Sequence, residues 1–256
     1  MRRFVIWFAA ALLTVMLTVL AFCPAAWLSY AVERQTGGRL TLGDAQGTLW
    51  RGSAFIGGAP GKNDPVTPLL PGRFSWRISP LLLVGRVDAE LENSSALSQT
   101  LAVTGTWSQW QVGADAIELP ADRLAGLGAP LNTIQLSGQM TLAWGPLLLA
   151  RQGDKVEITG TMNLDLNDIA SRLSQVRPLG AYHVRVVWSG TDANLELKTS
   201  SGPMLLSGTG SLANGKFHFS GKAEAEEGQE QKLANLLNLL GQHQRDGNKD
   251  VFALKL

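Results

Sequence analysis

Residue types that build catalytic and metal sites are scarce in this sequence. Its 256 residues include one cysteine and three histidines, and only 17% of them are charged. The lone cysteine, Cys23, excludes an intramolecular disulfide and any cysteine-cluster metal site. The histidines His183, His218 and His243 lack the spacing of metal ligands, and the first two occupy polar positions of alternating segments. We therefore predict that the protein holds no metal.

Motifs for nucleophilic catalysis and for phosphate binding are also missing. The sequence contains no Gly-x-Ser-x-Gly elbow and no phosphate-binding loop. Gly208-Thr209-Gly210 precedes a strand pattern rather than the helix that a dinucleotide site needs. Strand alternation explains the nearby carboxylates Asp88, Glu90 and Glu92, because it places all three on one solvated face. We predict that the protein is not an enzyme, with no catalytic residues and no cofactor.

Charge of one sign is not in excess either. The 22 basic and 21 acidic residues leave a formal net charge of +1. No basic stretch has the pattern of a nucleic-acid site, so we predict no nucleic-acid partner. No Pro- or Ser-rich segment divides the chain into two domains.

The longest apolar run, Phe4 to Phe22, lacks charged residues and contains only two threonines. As a helix its nineteen residues would extend roughly 28 Å, close to the hydrocarbon thickness of a bilayer. Arg2 and Arg3 precede it and favour a cytoplasmic N-terminus. We predict that residues 1–30 form a cytoplasmic stub and a transmembrane anchor. Residues 31–256 would then form a single β-rich domain on the opposite, non-cytoplasmic side.

A cleaved signal peptide is the alternative to an uncleaved anchor. Signal peptides usually carry an apolar region of about 7–15 residues that ends in a small-x-small site. The run here is longer, although Ser29-Tyr30-Ala31 resembles a weak cleavage site. Phe22 beside Cys23 argues against a lipoprotein signal, and Trp27 and Tyr30 suit the headgroup level of a membrane. The sequence favours the anchor and leaves later cleavage open.

Alternation of apolar and polar residues dominates the rest of the chain. From Val156 to Leu166, every second residue is apolar or glycine and the others are polar. Similar patterns occur at Leu40/Leu42, Phe74/Trp76/Ile78, Val87/Ala89/Leu91, Ile134–Trp144, Tyr182–Trp188, Leu195/Leu197 and Phe217–Ala225. Such segments are strands with one buried and one solvated face, as in antiparallel sheets. The predicted fold class is mainly β.

A small repeat of an apolar residue, Ser or Thr, and Gly recurs in these strands. Its copies end at Gly105, Gly138, Gly160, Gly190, Gly208 and Gly221, always on the apolar parity. Recurrent glycine within strands indicates bends, bulges or close backbone approach. We predict a curved, folded-over antiparallel sheet (β-taco-like), with Trp107, Trp144 and Trp188 filling the space opposite glycines. The alternative is a set of independent bulges in an ordinary sandwich.

One or two short helices interrupt the strands. Asn167-Asp168 predicts a helix start, with an end near Gln175 before Pro178. A second helix is predicted from Glu226 to about Leu240, with Gly241 as C-cap. It places Leu233, Leu236, Leu237 and Leu240 on one face, which indicates core packing, with a partner-helix groove as the alternative.

Two irregular segments complete the prediction. Gly57 to Pro71 is predicted to be a flexible loop that is poor in regular structure. Near the end of the chain, Arg245-Asp246-Gly247-Asn248 predicts a turn into a final strand, Val251 to Leu256.

Two short motifs resemble those of a known family. They are Gly43-Asp44-Ala45-Gln46-Gly47-Thr48-Leu49-Trp50-Arg51-Gly52 and Trp76-Arg77-Ile78-Ser79-Pro80, following an N-terminal apolar run. Their order and the strand pattern resemble the type II secretion system protein N family (general secretion pathway protein N) along nearly the whole chain. That family is in turn similar to the AsmA-like group of anchored, curved-sheet proteins.

The resemblance implies a single-pass component of the bacterial inner membrane, with a cytoplasmic N-terminus and a periplasmic bulk. It implies an accessory role in exporting folded proteins from the periplasm across the outer membrane, with other secretion-system subunits as partners. It carries over no catalytic residues. The alternative function is an AsmA-like envelope protein that holds or shuttles lipid in an apolar groove, which the inward glycines would enlarge.

Overall fold

The computed structural model describes residues 2–38, 40–58, 66–68, 70–122, 134–153, 155–213, 215–246 and 249–255. The described chain is mainly β, with one open antiparallel sheet and three α-helices. The helices are α1 (Arg2–Ala21), α2 (Ala26–Gln35) and α3 (Glu230–Leu240), and a 3-10 helix spans Pro80–Val84. The prediction of a mainly β fold is confirmed.

Within the described ranges, seventeen strands form the sheet. Those of the first half are β1 (Leu40–Gly47), β2 (Arg51–Gly58), β3 (Thr67–Pro68), β4 (Phe74–Ile78), β5 (Arg86–Glu92), β6 (Leu101–Thr106), β7 (Gln109–Val112), β8 (Asp115–Pro120) and β9 (Leu136–Trp144). Those of the second half are β10 (Leu147–Gln152), β11 (Lys155–Ser171), β12 (Gly180–Gly190), β13 (Asp192–Ser201), β14 (Met204–Ala213), β15 (Lys216–Ala225), β16 (Gln242–Asp246) and β17 (Lys249–Lys255).

The strands follow one another as a meander in which each pairing is antiparallel. From β1 the order runs through β2, β4, β5, β6 and β7. At the centre β7 pairs with β10 and β8 with β9, and both β9 and β10 then pair with successive parts of the long β11. The order continues from β12 to β15, and β17 lies between β15 and β16.

The register aligns the apolar positions of neighbouring strands on one face. One row across five strands consists of Met162, Val186, Leu195, Gly210 and Phe219. A second row, in the earlier half, consists of Ile78, Ala89, Val103, Val112 and Leu147. Directly opposed residues of antiparallel strands share a face, so the alternation builds one apolar face across most of the sheet. We call this surface the apolar face.

Helix α3 covers one end of the apolar face. Leu233, Leu236 and Leu237 are buried and join a core cluster with Tyr182 and Phe252. The leucine stripe therefore packs in the core, as predicted, and Gly241 is the C-cap. The helix begins at Glu230, four residues later than the prediction.

The predicted helix from Asn167 to Gln175 is wrong. Strand β11 continues to Ser171 through a bulge, where Asp168 adopts a φ of 51°. The bulge lets Ile169 pair with Gly180 and enter the core. The free energy gained by burying Ile169 and by extending the strand pairing outweighs the tendency of Asn167 and Asp168 to begin a helix. Asp also tolerates the left-handed backbone conformation that the bulge requires.

The structure corrects part of the prediction for each of the two irregular segments. Gly57 and Gly58 belong to β2 and pair with the short strand Thr67–Pro68, because backbone pairing needs no side chain. Residues 59–65 and 69 lie outside the described residues. Arg245 and Asp246 end β16 rather than forming the predicted turn, because both pair with β17. The rest of that turn, residues 247 and 248, also lies outside the described part.

Glycines of the small repeat other than Gly190 stand where strands approach closely. A Cβ on Gly105, whose φ is 150°, would lie 2.3 Å from the Gln109 carbonyl oxygen. The tryptophan prediction holds for Trp188, which lies opposite Gly160. It is wrong for Trp144, which lies opposite Met162, and for Trp107, which is exposed in the β6–β7 turn.

The predicted membrane anchor is not confirmed by the structure. Its sequence is helical, since α1 covers Arg2–Ala21. Over the ranges that the structure describes, however, no helix attains the length and apolar character that crossing a membrane requires.

Candidate functional site: a clamp at the end of α1 and the apolar face

The segment between α1 and α2 lies against the β1–β2 hairpin. The Leu49 amide donates to the Cys23 carbonyl at 2.7 Å, and the Ala25 amide donates to the Gly47 carbonyl at 3.1 Å. Pro24 forms a β-bridge with Thr48. Cys23 and Ala25 are both buried. We call residues 23–25 and 47–52, together with Trp76, the clamp.

Two tryptophans complete the clamp through their indole N–H groups. Trp50 Nε1 donates to the carbonyl of Leu20, in the last turn of α1, at 2.8 Å. Trp76 Nε1 donates to the carbonyl of Leu49 at 3.0 Å. The Ile78 amide donates to the Trp50 carbonyl at 2.8 Å, which joins β4 to the hairpin. The end of α1 is thus hydrogen-bonded to the sheet rather than connected by a loose linker.

Gly52 allows the clamp to close. It pairs with Trp76 across β2 and β4, and a Cβ at Gly52 would lie 2.5 Å from Trp76 Cζ2. That Cβ would also lie 2.7 Å from the Gln46 carbonyl oxygen. Any side chain would force the hairpin and the indole apart. By contrast, a Cβ at Gly43, in the same hairpin, would meet only the Phe55 carbonyl oxygen, at 3.9 Å.

Asp44, within the first motif, is part of a structural contact. Arg73 pairs with the Asp44 carboxylate, donates to the Ser53 hydroxyl at 3.0 Å, and lies 4.6 Å from the ring centroid of Phe55. Asp44 has a φ of 49° at a bulge in β1. The residues that carry the family resemblance therefore shape the hairpin and its contact with α1.

A cavity of about 510 Å³ with a mixed polar and apolar lining lies beside the clamp. Ala21 of α1 lines it together with Arg51, Arg77, Asp88 and Glu90. Arg77 Nη1 lies 3.4 Å from Glu90 Oε2. Asp88 and Glu90 of the predicted solvated face of β5 therefore line this cavity, and Glu90 pairs with Arg77.

Among the described elements, α3 covers the apolar face at one end. Elsewhere its side chains are half-buried, among them Val103, Trp110, Val186 and Leu195. An open depression of about 580 Å³, with a mainly apolar lining, lies over β5, β6 and β7. Leu82, Leu83, Val87, Val103, Trp107 and Trp110 line it, with Arg151 at its margin.

The three histidines lie on three different strands, β12, β15 and β16. His183 Nδ1 lies 2.6 Å from Asp165 Oδ1 across β11 and β12, His218 is exposed, and His243 packs edge-on against Phe252. Among the described residues, no group of three or more His, Cys, Asp or Glu side chains is placed to hold a metal.

In the described part of the chain, two groups outside the clamp have a shifted pKa. Burial raises the pKa of the Tyr182 phenol, whose hydroxyl donates to the Met204 carbonyl at 3.1 Å. The hydrogen bond and charge of Lys198 lower the pKa of the exposed Glu196 carboxyl. Tyr182 belongs to the α3-covered core and Glu196 is a surface group, so neither forms a catalytic arrangement.

The clamp is the feature that sequence reasoning missed. Both of its motifs were visible, but only the register that pairs Arg51 with Arg77 and Gly52 with Trp76 brings them together. The available signal was the glycines and Trp50 of the first motif together with Trp76 of the second. Those residue types suit close backbone approach and a buried N–H donor.

A family model described as type II secretion system, protein N, matches residues 38–251. This range begins just before the β1–β2 hairpin and extends into the last strand, so it includes both motifs. No curated protein and no solved structure matches the chain. The match spans most of the sequence and nearly all of the sheet, and the chain therefore belongs to the type II secretion system protein N family.

Proposed function

We propose that this protein is an accessory subunit of the inner membrane that supports the export of folded proteins by the type II secretion system. Family membership supports a role in type II secretion. The finer role concerns how the sheet is held at the membrane and which surface it offers to other subunits. The observation that carries the proposal is the clamp.

In this proposal α1 is a single-pass anchor with a cytoplasmic N-terminus, and residues 31–256 lie in the periplasm. Apolar side chains are exposed on all sides of α1, with Phe4 76% and Trp7 75% exposed. A helix that is apolar on every side suits a hydrocarbon environment, because water would solvate it poorly. Trp27 and Tyr30 on α2 are also exposed, at the level expected for headgroups.

The clamp turns this anchor into a positioning device. Hydrogen bonds from Trp50, Leu49 and Ala25 join the end of α1 and the following segment to the hairpin. A sheet held in this way keeps a defined orientation to α1, whereas a flexible linker would let it rotate. A fixed orientation serves a subunit that must present one surface to a multi-subunit machine.

The surface we propose for another secretion subunit is the first part of β15. Strand β17 pairs with residues 220–223 only, so among the described strands Lys216–Phe219 pair with β14 alone. Phe217 is exposed at this edge. An open sheet edge of this kind can accept a strand from a partner protein.

In-cell photocrosslinking tests this proposal. A photoreactive residue at Phe217 should crosslink to a secretion-system subunit in cells with an active system. The control position is Val187, which is also exposed and apolar but lies in β12, paired on both sides. Recovery of only unrelated envelope proteins from Phe217 would contradict the proposed role.

The second candidate function is an AsmA-like lipid carrier, in which a folded-over sheet forms the groove. The specific observation in its favour is the half-exposed apolar face with the depression beside Trp110. A photoreactive residue at Val103, on this face, would then form lipid adducts that mass spectrometry detects, and one at Val187 would not. Equal adduct levels at both positions would argue against a groove that holds lipid.

A further inference from the structure

The 3-10 helix between β4 and β5 presents apolar side chains outward. Leu81 and Leu83 are exposed, and Val84 is 78% exposed. Trp107, in the turn between β6 and β7, lies beside them with 57% of its surface exposed. We call these four side chains the apolar tip. Clustered exposed apolar residues of this kind usually mark a site of protein or membrane contact.

The apolar tip is held rigidly. Ser79 caps the 3-10 helix, since its Oγ accepts from the Leu81 amide at 3.3 Å, and Gly85 ends it with a φ of 92°. Trp107 Nε1 donates to the Leu82 carbonyl at 2.5 Å, and the Trp107 amide donates to the Gly85 carbonyl at 3.2 Å. These contacts hold the side chains outward, so the exposure is a built feature of the fold.

The apolar tip lies close to the end of α1. Ser79 and Pro80, which begin the 3-10 helix, line the same cavity as Ala21 of α1. The clamp links them further, because Trp50 bonds to Leu20 through its indole and to Ile78 through its carbonyl. The tip and the end of the proposed anchor are therefore attached to the same part of the sheet.

Arginines surround the apolar tip. Arg51 and Arg77 line the cavity between the tip and α1, Arg86 begins β5 after Gly85, and Arg151 lines the depression beside Trp107. Asp88 and Glu90 offset part of this charge in the cavity. Arginine beside exposed leucine and tryptophan suits a membrane surface, where guanidinium groups bind lipid phosphates and apolar side chains enter the acyl region.

We propose that the apolar tip inserts into the leaflet from which α1 emerges and forms a second membrane contact of the same molecule. This inference rests on the proposed anchor. Together with the clamp, a second contact point would fix the tilt of the sheet against the bilayer, which one helix alone leaves free. The partner is the bilayer surface with its anionic phosphates.

The test measures depth in the bilayer with the full chain in nanodiscs of phosphatidylethanolamine and phosphatidylglycerol. An environment-sensitive fluorophore is attached to Val84→Cys, to Leu13→Cys in α1, and to Val187→Cys on the sheet. The unsubstituted chain, whose Cys23 is buried, gives the labelling background. Quenching by doxyl-labelled lipid and by aqueous iodide is compared for each position.

We expect doxyl lipid to quench the label at position 84 several-fold more than the label at position 187, with the reverse order for iodide. The emission at position 84 should also shift to the blue. If position 13 is quenched by doxyl lipid while position 84 behaves like position 187, the anchor stands and the second contact is refuted. If position 13 is not quenched either, the proposed anchor fails, and the inference fails with it.

Discussion

The two ends of the apolar face differ in how they are covered. At the end near the C-terminal strands, α3 buries Leu233, Leu236 and Leu237 against the sheet. Over β5, β6 and β7 the same face remains half-exposed and includes the depression beside Trp110. The alternating strand pattern is the same in both regions, so the presence of a covering helix makes the difference.

The contrast indicates that the two regions of the sheet contribute unequally to the stability of the fold. The α3-covered end has the dense packing that stabilises folded domains. The open region adds little buried area for its length, yet it lies next to the clamp and the apolar tip. We infer that α3 and its cluster contribute more to the stability of the fold than the open region does.

The largest effect is expected at the covered end. Leu236→Ala removes a side chain that is 2% exposed. It should lower the free energy of unfolding by about 2–5 kcal/mol, because burial is lost and a cavity remains. Leu239→Ala on the same helix, where the leucine is 51% exposed, is the matched control and should cost under about 0.5 kcal/mol. Denaturant unfolding of the full chain in detergent measures both, and equal losses would mean that α3 is not anchored by its leucine stripe.

A smaller effect is expected at the clamp. Gly52→Ala places a Cβ against Trp76 and two backbone oxygens, so it should destabilise the hairpin by about 1–3 kcal/mol through overpacking. Gly43→Ala is the control, because its Cβ has ordinary contact distances. Protease cleavage between α1 and β1, followed in membranes, should accelerate for Gly52→Ala only. Secretion of an exported protein should fall with it if the clamp positions the sheet.

A still smaller effect is expected on the open part of the face. Val103→Ala on β6 should lower the free energy of unfolding by about 1 kcal/mol, since a half-exposed valine contributes only part of the roughly 1.5–3 kcal/mol of full burial. The comparison with Leu236→Ala in the same unfolding assay tests the contrast between the two regions directly. A loss as large as that of Leu236→Ala would show that the open region is closed in solution.

Much of the fold follows from the alternation in the sequence. Period-two patterns predicted the strands around Val156, Tyr182 and Phe217, because a solvated face and an apolar face leave a clear signature. The stripe on α3 was equally clear. The helix predicted at Asn167 is wrong because a bulge around Asp168 lets the strand continue with Ile169 paired to Gly180 and buried in the core. Helix-capping residues are a local signal, and they carry no information about this gain from packing with distant residues.

Much less of the candidate site could be predicted from the sequence. The clamp joins residues that are distant in the chain, such as Leu20 with Trp50 and Leu49 with Trp76, and each contact depends on the strand register. The apolar tip was hidden for a different reason. The run Pro80–Val84 reads as apolar, but sequence does not reveal that its side chains point away from the core.

The smallest effect is expected at an ion pair on the polar face of the sheet. Lys198 Nζ lies 2.5 Å from Glu196 Oε1, and this contact, ahead of the charge of Arg185, lowers the pKa of the Glu196 carboxyl. Lys198→Gln should raise that pKa toward its ordinary value, and Arg185→Gln should raise it less. Both shifts can be followed by NMR titration of the Glu196 carboxyl carbon.

The sign of the pH dependence at Glu196 follows from the lowered pKa. A carboxyl with a lower pKa in the folded state stabilises the fold above its unfolded pKa, and this contribution is lost as the pH falls through the folded value. Because Glu196 is exposed, solvent screens the pair, and Lys198→Gln should leave the unfolding midpoint at neutral pH unchanged. A marked drop in that midpoint would mean that the polar face is covered in solution, and the contrast between a solvated face and an apolar face would need revision.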